Sequence, residues 1–278
     1  MNTLEFTAIV WVGSLLAGFL GALTGLGGGV VIVPLLTLVF HVDLKYAIGA
    51  ALVSVIATSS GAAAAYVKEG YSNVRVGMFL EIATTIGAIS GAGLALYLKA
   101  NVIAIIFGVV LIYSAYTSIR PQPHDSIKQQ PDRLATWLQM DSTYPTANGL
   151  ESYHVSGIPL GFLLMFVAGV LSGLLGIGSG AVKVLAMDKA MKLPFKVSTT
   201  TSNFMIGVTA AASAGIYLSR GYIDPGLAMP VMIGVLMGSL TGARVLANAN
   251  VRILRIVFST VIGALALEMI YSGITGKI

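Results

Sequence analysis

Gly25-Leu26-Gly27-Gly28-Gly29 and Gly176-Ile177-Gly178-Ser179-Gly180 are two glycine runs set inside apolar stretches of one chain. Each stretch, residues 6–40 and 158–190, is longer than the roughly 20 residues a straight membrane crossing needs. Glycine costs about 1 kcal/mol per residue against Ala in a helix interior. Each stretch is therefore expected to begin as a helix, break at its glycines and restart near Val30 and Ala181. Lipid cannot satisfy the backbone groups that a break frees, so the break should face protein or a water-filled cavity.

The surrounding composition supports a membrane setting. Of 278 residues, 56% are hydrophobic and 10% charged, where soluble domains carry about 25% charged residues. Apolar runs of roughly 17 to 25 residues recur, the length of a membrane-spanning helix. Residues 46–66 and 251–270 do not alternate apolar with polar, so a membrane β-barrel is ruled out. Met1–Phe6 has no Lys or Arg ahead of the first apolar run, so that run is expected to remain in place rather than be cleaved as a signal peptide. Cys is absent, which excludes disulfides, iron–sulfur clusters and thiolate zinc. His41, His124 and His154 lie at no metal-ligand spacing, and no cofactor is expected. The net charge of +5 is spread without a basic cluster, so nucleic acid is not expected as a partner.

A shift of 151 residues lays Gly18 on Gly169, Gly25 on Gly176, Lys45 on Lys196, Tyr66 on Tyr217, Gly87 on Gly238 and Gly91 on Gly242. The fold class that follows is an all-α integral membrane protein of two homologous repeats, each of about four transmembrane helices, the first broken at its glycines. Repeat 1 is residues 1–119 and repeat 2 is 158–278, with helices expected over 6–40, 45–66, 74–98, 102–119, 158–190, 196–219, 225–247 and 251–274. Residues 120–157, rich in Pro and charge, form an extramembrane connector in which Asn148-Gly149 marks a two-residue hairpin turn. With four crossings per repeat, Lys and Arg divide seven against seven and fix no orientation. If the broken element counts as two passes, the repeats are inverted.

A restarted helix presents free N–H groups and about half a positive charge, an arrangement suited to an anion. Gly27, Gly28, Gly29, Gly178, Ser179 and Gly180 are thus candidate binding positions. Lys183 falls in the first turn of the second restarted helix, where repeat 1 has Ile32. A Lys at bilayer depth costs about 2.5 to 3.5 kcal/mol and usually faces a pathway. Lys183 is therefore a candidate anion ligand, the competing reading being a structural pair with Glu81 or Glu268. Hydroxyl and amide donors add Thr201, Ser202 and Asn203 from repeat 2 and Ser54 and Thr58 from repeat 1. Gly87-x-x-x-Gly91 and Gly238-x-x-x-Gly242 read as packing motifs, and Arg244 as an interface-seeking side chain.

Through Ser172-Gly173-Leu174-Leu175-Gly176-Ile177-Gly178-Ser179-Gly180, Lys183-Val184, Ser198-Thr199-Thr200-Thr201-Ser202-Asn203 and Gly221-Tyr222-Ile223-Asp224-Pro225, the chain resembles the sulfite exporter TauE/SafE family, also called the 4-toluene sulfonate uptake permeases. It departs from the family pattern at Ser179, where glycine is common, and at Leu185, where proline is common. The resemblance implies two repeats of about four helices in a bacterial inner membrane, and movement of sulfite, thiosulfate, sulfonates or related small anions. The expectation is a secondary transporter, an exporter, binding one anion between the repeats, with proton or sodium as the coupling ion where one is needed. An anion channel or an uptake permease using the same site is the alternative. No embedded nucleophile or acid–base constellation points to an enzyme.

Overall fold

The computed structural model describes residues 3–24, 28–68, 71–119, 132–146, 149–246 and 251–278. Its long helices are α1 (Thr3–Thr24), α3 (Leu44–Lys68), α4 (Val74–Tyr97), α5 (Ala100–Ile119), α7 (Ile158–Leu175), α9 (Phe195–Ser219), α10 (Pro225–Leu246) and α11 (Val251–Thr275). α4, α5, α7 and α10 each contain a window long and apolar enough to cross a membrane. Their outward faces are greasy. On α4, Met78, Ile82, Ile86 and Ile89 are exposed at helical spacing, while the opposite face buries Leu80, Ala83, Gly87, Gly91 and Ala95.

Short helices α2 (Gly29–Pro34) and α8 (Gly180–Leu185) follow the glycine runs, and each continues through one π-helical turn, Leu35–Val39 and Ala186–Ala190. Pro34 closes α2 where Leu185 closes α8, so the π turn does not depend on proline. Both short helices turn back beside the long helix before them. Phe6 near the start of α1 packs edge-on against Phe40, ring centroids 6.0 Å apart. Ser156, just before α7, donates its N–H to the Met191 carbonyl at 3.2 Å. Each broken element is thus a helical hairpin that enters and leaves at one end of the bundle, leaving three full passes after it.

Contacts between termini and loops sort the two ends. At one end Lys45 Nζ donates to the Leu96 carbonyl at 3.2 Å, Tyr46 packs on Tyr222, and Gly273 abuts the Asn101 carbonyl. At the other, Asn73 Nδ2 donates to the Met140 carbonyl and to Tyr153 Oη, each at 2.8 Å, and Thr200 Oγ1 donates to the Tyr71 carbonyl at 3.0 Å. Both chain termini lie at the first end and the connector at the second. The lateral pairings are α1 with α10, α4 with α7, α3 with α9 and α5 with α11.

Between α5 and α7 lie α6 (Arg133–Trp137), β1 (Ser142–Thr146) and β2 (Gly149–Tyr153). The strands pair antiparallel, Ser142 with Tyr153 and Thr146 with Gly149. Gly149, at φ 114°, is therefore the first residue of β2 rather than half of the turn. Asn148, the other half of the expected turn, lies outside the described residues.

Candidate functional site

The chain reverses after α7 by a run of left-handed residues. Gly176 has φ 69° and donates its N–H to the Ser172 carbonyl at 2.8 Å, closing the helix. Gly178 follows at φ 69° and Ser179 at φ 44°. A left-handed non-glycine residue is uncommon and needs local support. Ser179 has it, because its Oγ donates to the Ala168 carbonyl at 2.5 Å. The Ser179 carbonyl accepts from the N–H groups of Val182 and Lys183, both at 3.1 Å, and starts α8. At the corresponding place the Gly28 carbonyl accepts from Val31 and Ile32 at the same distances and starts α2.

The two restarts meet at the centre of the bundle. A Cβ placed on Gly29 would lie 3.1 Å from the Gly176 carbonyl and 2.7 Å from Val55, and one on Gly178 would lie 2.8 Å from Ile206. Only glycine allows this approach. Val55 and Ile206, which stand 151 residues apart, wedge the tips. Beside the tips is a small cleft whose lining includes Val30, Val110, Ser114, Ser179, Gly180 and Val182.

Lys183 is not among the cleft walls. It is fully buried, and its ammonium donates to Thr209 Oγ1 at 2.5 Å. Thr209 Oγ1 in turn donates to Glu81 Oε1 at 2.7 Å. Glu81, two turns into α4 and 8% exposed, also accepts from Thr85 Oγ1 at 3.3 Å, while its Oε2 is buried with no hydrogen-bond partner. One hydroxyl thus bridges a buried cation on α8 and a buried anion on α4.

Of the other candidates, Gly28, Gly29, Gly178, Ser179 and Gly180 gather at the tips, and Ser202 joins them by donating to the Gly180 carbonyl at 3.3 Å. Gly27 lies outside the described residues. Thr201 Oγ1 accepts the Asn73 N–H at 3.0 Å, toward the connector end. Ser54 donates to the Ala51 carbonyl at 2.7 Å and Thr58 to that of Ser54 at 3.0 Å, so both hydroxyls serve their own helix. Asn203 is half-buried. Sequence reasoning missed Thr209 and Ser114. Thr209 had a signal, since the 151-residue shift that aligns the glycines lays Thr58 on it.

The family model for sulfite exporter TauE/SafE matches residues 10–269. The chain belongs to the sulfite exporter TauE/SafE family. "Probable membrane transporter protein YunE" of Bacillus subtilis is 28% identical over 278 residues, covering 98% of this chain and 99% of its own length. "Probable membrane transporter protein YdhB" of the same organism is 26% identical and covers 83% of this chain and 84% of its own length. A Methanocaldococcus jannaschii protein, also named a probable membrane transporter, is 26% identical over 92% of both chains. No solved structure matches. With this membership and its apolar helices, the TauE/SafE chain is a multi-pass membrane protein of a transporter family.

Proposed function

We propose that this protein is a secondary transporter of small sulfur-containing or organic anions, such as sulfite, thiosulfate or sulfonates, across the inner membrane, and that the anion binds between two inverted repeats. The observation that carries the reading is the meeting of the α2 start at Gly29 with the turn at Gly176 that leads into α8, with a cleft beside them. Broken helices whose free ends face a central site are a recurring transporter design. The reciprocal pairing of α1 with α10 and α4 with α7 supports a duplicated unit, and three full passes after each hairpin turn the second copy over.

Export is the direction that needs least. In an interior-negative cell, each negative charge that leaves gains about 2.3 kcal/mol per 100 mV. Uptake of the same anion requires a coupled cation.

The test is ligand-induced thermal stabilisation of purified protein by sulfite, thiosulfate, 4-toluenesulfonate and small carboxylates, paired with flux in proteoliposomes. A selective stabilisation and a saturating flux of the same anion are expected, both weakened by Gly180→Val, whose side chain enters the contact with Ile206. Absence of stabilisation and flux with every anion sinks the reading. Flux far above carrier turnover would make the protein a channel.

A further inference from the structure

We propose that Glu81 is a proton-binding site coupled to the anion, taking up one proton as the anion binds and releasing it as the anion leaves. The inference rests on the transport reading and extends it by naming the coupling ion and the residue that carries it.

Glu81 differs from a carboxylate held in a finished ion pair. Its Oε1 accepts from Thr209 and Thr85, while its Oε2 is buried with no partner. An unsatisfied buried acceptor carries a desolvation cost, and a larger one when it is charged. A proton on the carboxylate removes that charge. Lys183, the only cation in reach among the described residues, touches Glu81 through the Thr209 hydroxyl, so its compensation is indirect.

The elements packed on Glu81 leave the pair electrostatically isolated. α7 carries no titratable side chain. On α9, Lys196 lies over the Tyr71 ring 3.7 Å away and Tyr217 is near the opposite helix end, donating to the Gly173 carbonyl. On α4 itself Arg75 is exposed and bonded to the Gln139 carbonyl. Beyond Lys183, Asp188 and Lys189 pair with each other at 3.4 Å. Among the described residues, Lys183 and Glu81 therefore set the charge of this region between them.

The charge balance follows. With Glu81 as carboxylate and Lys183 as ammonium the cluster is neutral. Adding a proton to the carboxylate gives a carboxylic acid, and the cluster carries +1. One monovalent anion beside α8 restores neutrality. Proton and anion each lower the cost of the other, and that coupling is reciprocal. A monovalent anion then crosses with no net charge, and a pH gradient rather than the membrane potential drives it. A carrier with this site is equipped for uptake as well as release.

The experiment uses 4-toluenesulfonate, whose charge is fixed between roughly pH 5 and pH 8. First, purified wild-type protein in weakly buffered detergent is mixed with the anion beside a pH-indicator dye. Proton uptake approaching one per anion bound is expected, and binding without proton uptake overturns the proposal. Second, proteoliposomes receive an inward proton gradient of about one pH unit, which supports at most about tenfold accumulation at one proton per anion. Third, the pH dependence of the dissociation constant is compared with that of Glu81→Gln and Thr209→Val. Weaker binding at higher pH is expected for wild type, and a flat profile for Glu81→Gln. Flux by wild type that ignores the pH gradient, or an unchanged pH profile in Glu81→Gln, overturns the proton site and leaves the transport reading standing. Binding and flux of no anion at all overturn both.

Discussion

Lys183 has its charge balanced at one remove, through a hydroxyl shared with Glu81, and that arrangement makes the two residues energetically inseparable. Removing one partner of a buried ion pair leaves an uncompensated charge, at a cost of about 3–5 kcal/mol. Lys183→Met alone is therefore expected to lower thermal stability sharply, and Lys183→Met with Glu81→Gln to recover part of the loss, with a coupling of about 0.5–3 kcal/mol. Additive losses in the two singles and the double would show that the residues act independently. Asn73 makes a second residue-scale case. Its Oδ1 accepts from Val76 N–H at 3.0 Å and caps α4, its Nδ2 holds Met140 and Tyr153, and its N–H reaches Thr201. Losing a cap costs about 0.5–2 kcal/mol. Asn73→Ala should cost more than that in a melting curve and should expose residues 140–153 to protease. A mutant with wild-type melting and protease resistance would show that the connector is held elsewhere. Tyr153, whose hydroxyl is part of this joint, is pushed by burial above the usual phenol range and stays protonated there.

At the scale of elements, α4 and α7 close on each other through four glycines. Cβ atoms on Gly87 and Gly91 would overlap the Phe166 and Val170 carbonyls of α7, and those on Gly169 and Gly173 would overlap the Thr84 and Ala88 carbonyls of α4. Small residues on both faces let membrane helices pack backbone to backbone. Gly87→Val is expected to cost at least the 1–3 kcal/mol typical of overpacking. Gly93, with nothing within 4 Å of its would-be Cβ, should tolerate Ala or gain up to about 1 kcal/mol. Equal melting shifts for the two variants would mean that the α4–α7 contact is not close-packed. These helices were legible in the sequence because apolar runs of membrane length have few alternative structures. The expected 74–98 and 225–247 became 74–97 and 225–246. The reversal of the broken helices was not legible, since glycine permits a left-handed turn without dictating its sense. Ser179 supports that turn through a carbonyl eleven residues earlier in the chain, a contact that no local pattern announces. Glu81 was readable as a partner for Lys183, but the Thr209 bridge depends on how α4, α8 and α9 converge.

For the whole molecule, the return of each broken helix re-sorts the charges. On a count of four passes per repeat, Lys and Arg split evenly and gave no orientation. With α2 and α8 turning back beside α1 and α7, Lys45, Lys99, Arg220 and Lys277 fall at the end that holds both termini. Lys68, Arg75, Arg133, Lys189, Lys192, Lys196, Arg244, Arg252 and Arg255 fall at the connector end. Among the described residues, nine against four is a bias that the positive-inside rule can use, because these residues lie in short loops or close to helix ends. The connector, with α6 and the β1–β2 hairpin, is accordingly expected in the cytoplasm and both termini outside. The absence of native Cys makes the measurement direct. Single substitutions Lys99→Cys, Lys277→Cys and Glu151→Cys, treated in intact cells with a membrane-impermeant maleimide, should label at 99 and 277 and remain unlabelled at 151 until the cells are permeabilised. Labelling of 151 alone in intact cells would reverse the orientation, and labelling of 99 but not 277 would break the even number of crossings that places the termini together. The orientation also bears on the proton site. Glu81 lies two turns from the connector end of α4, so in this arrangement its shorter route to water runs to the cytoplasm, where a proton carried inward with an anion would be released.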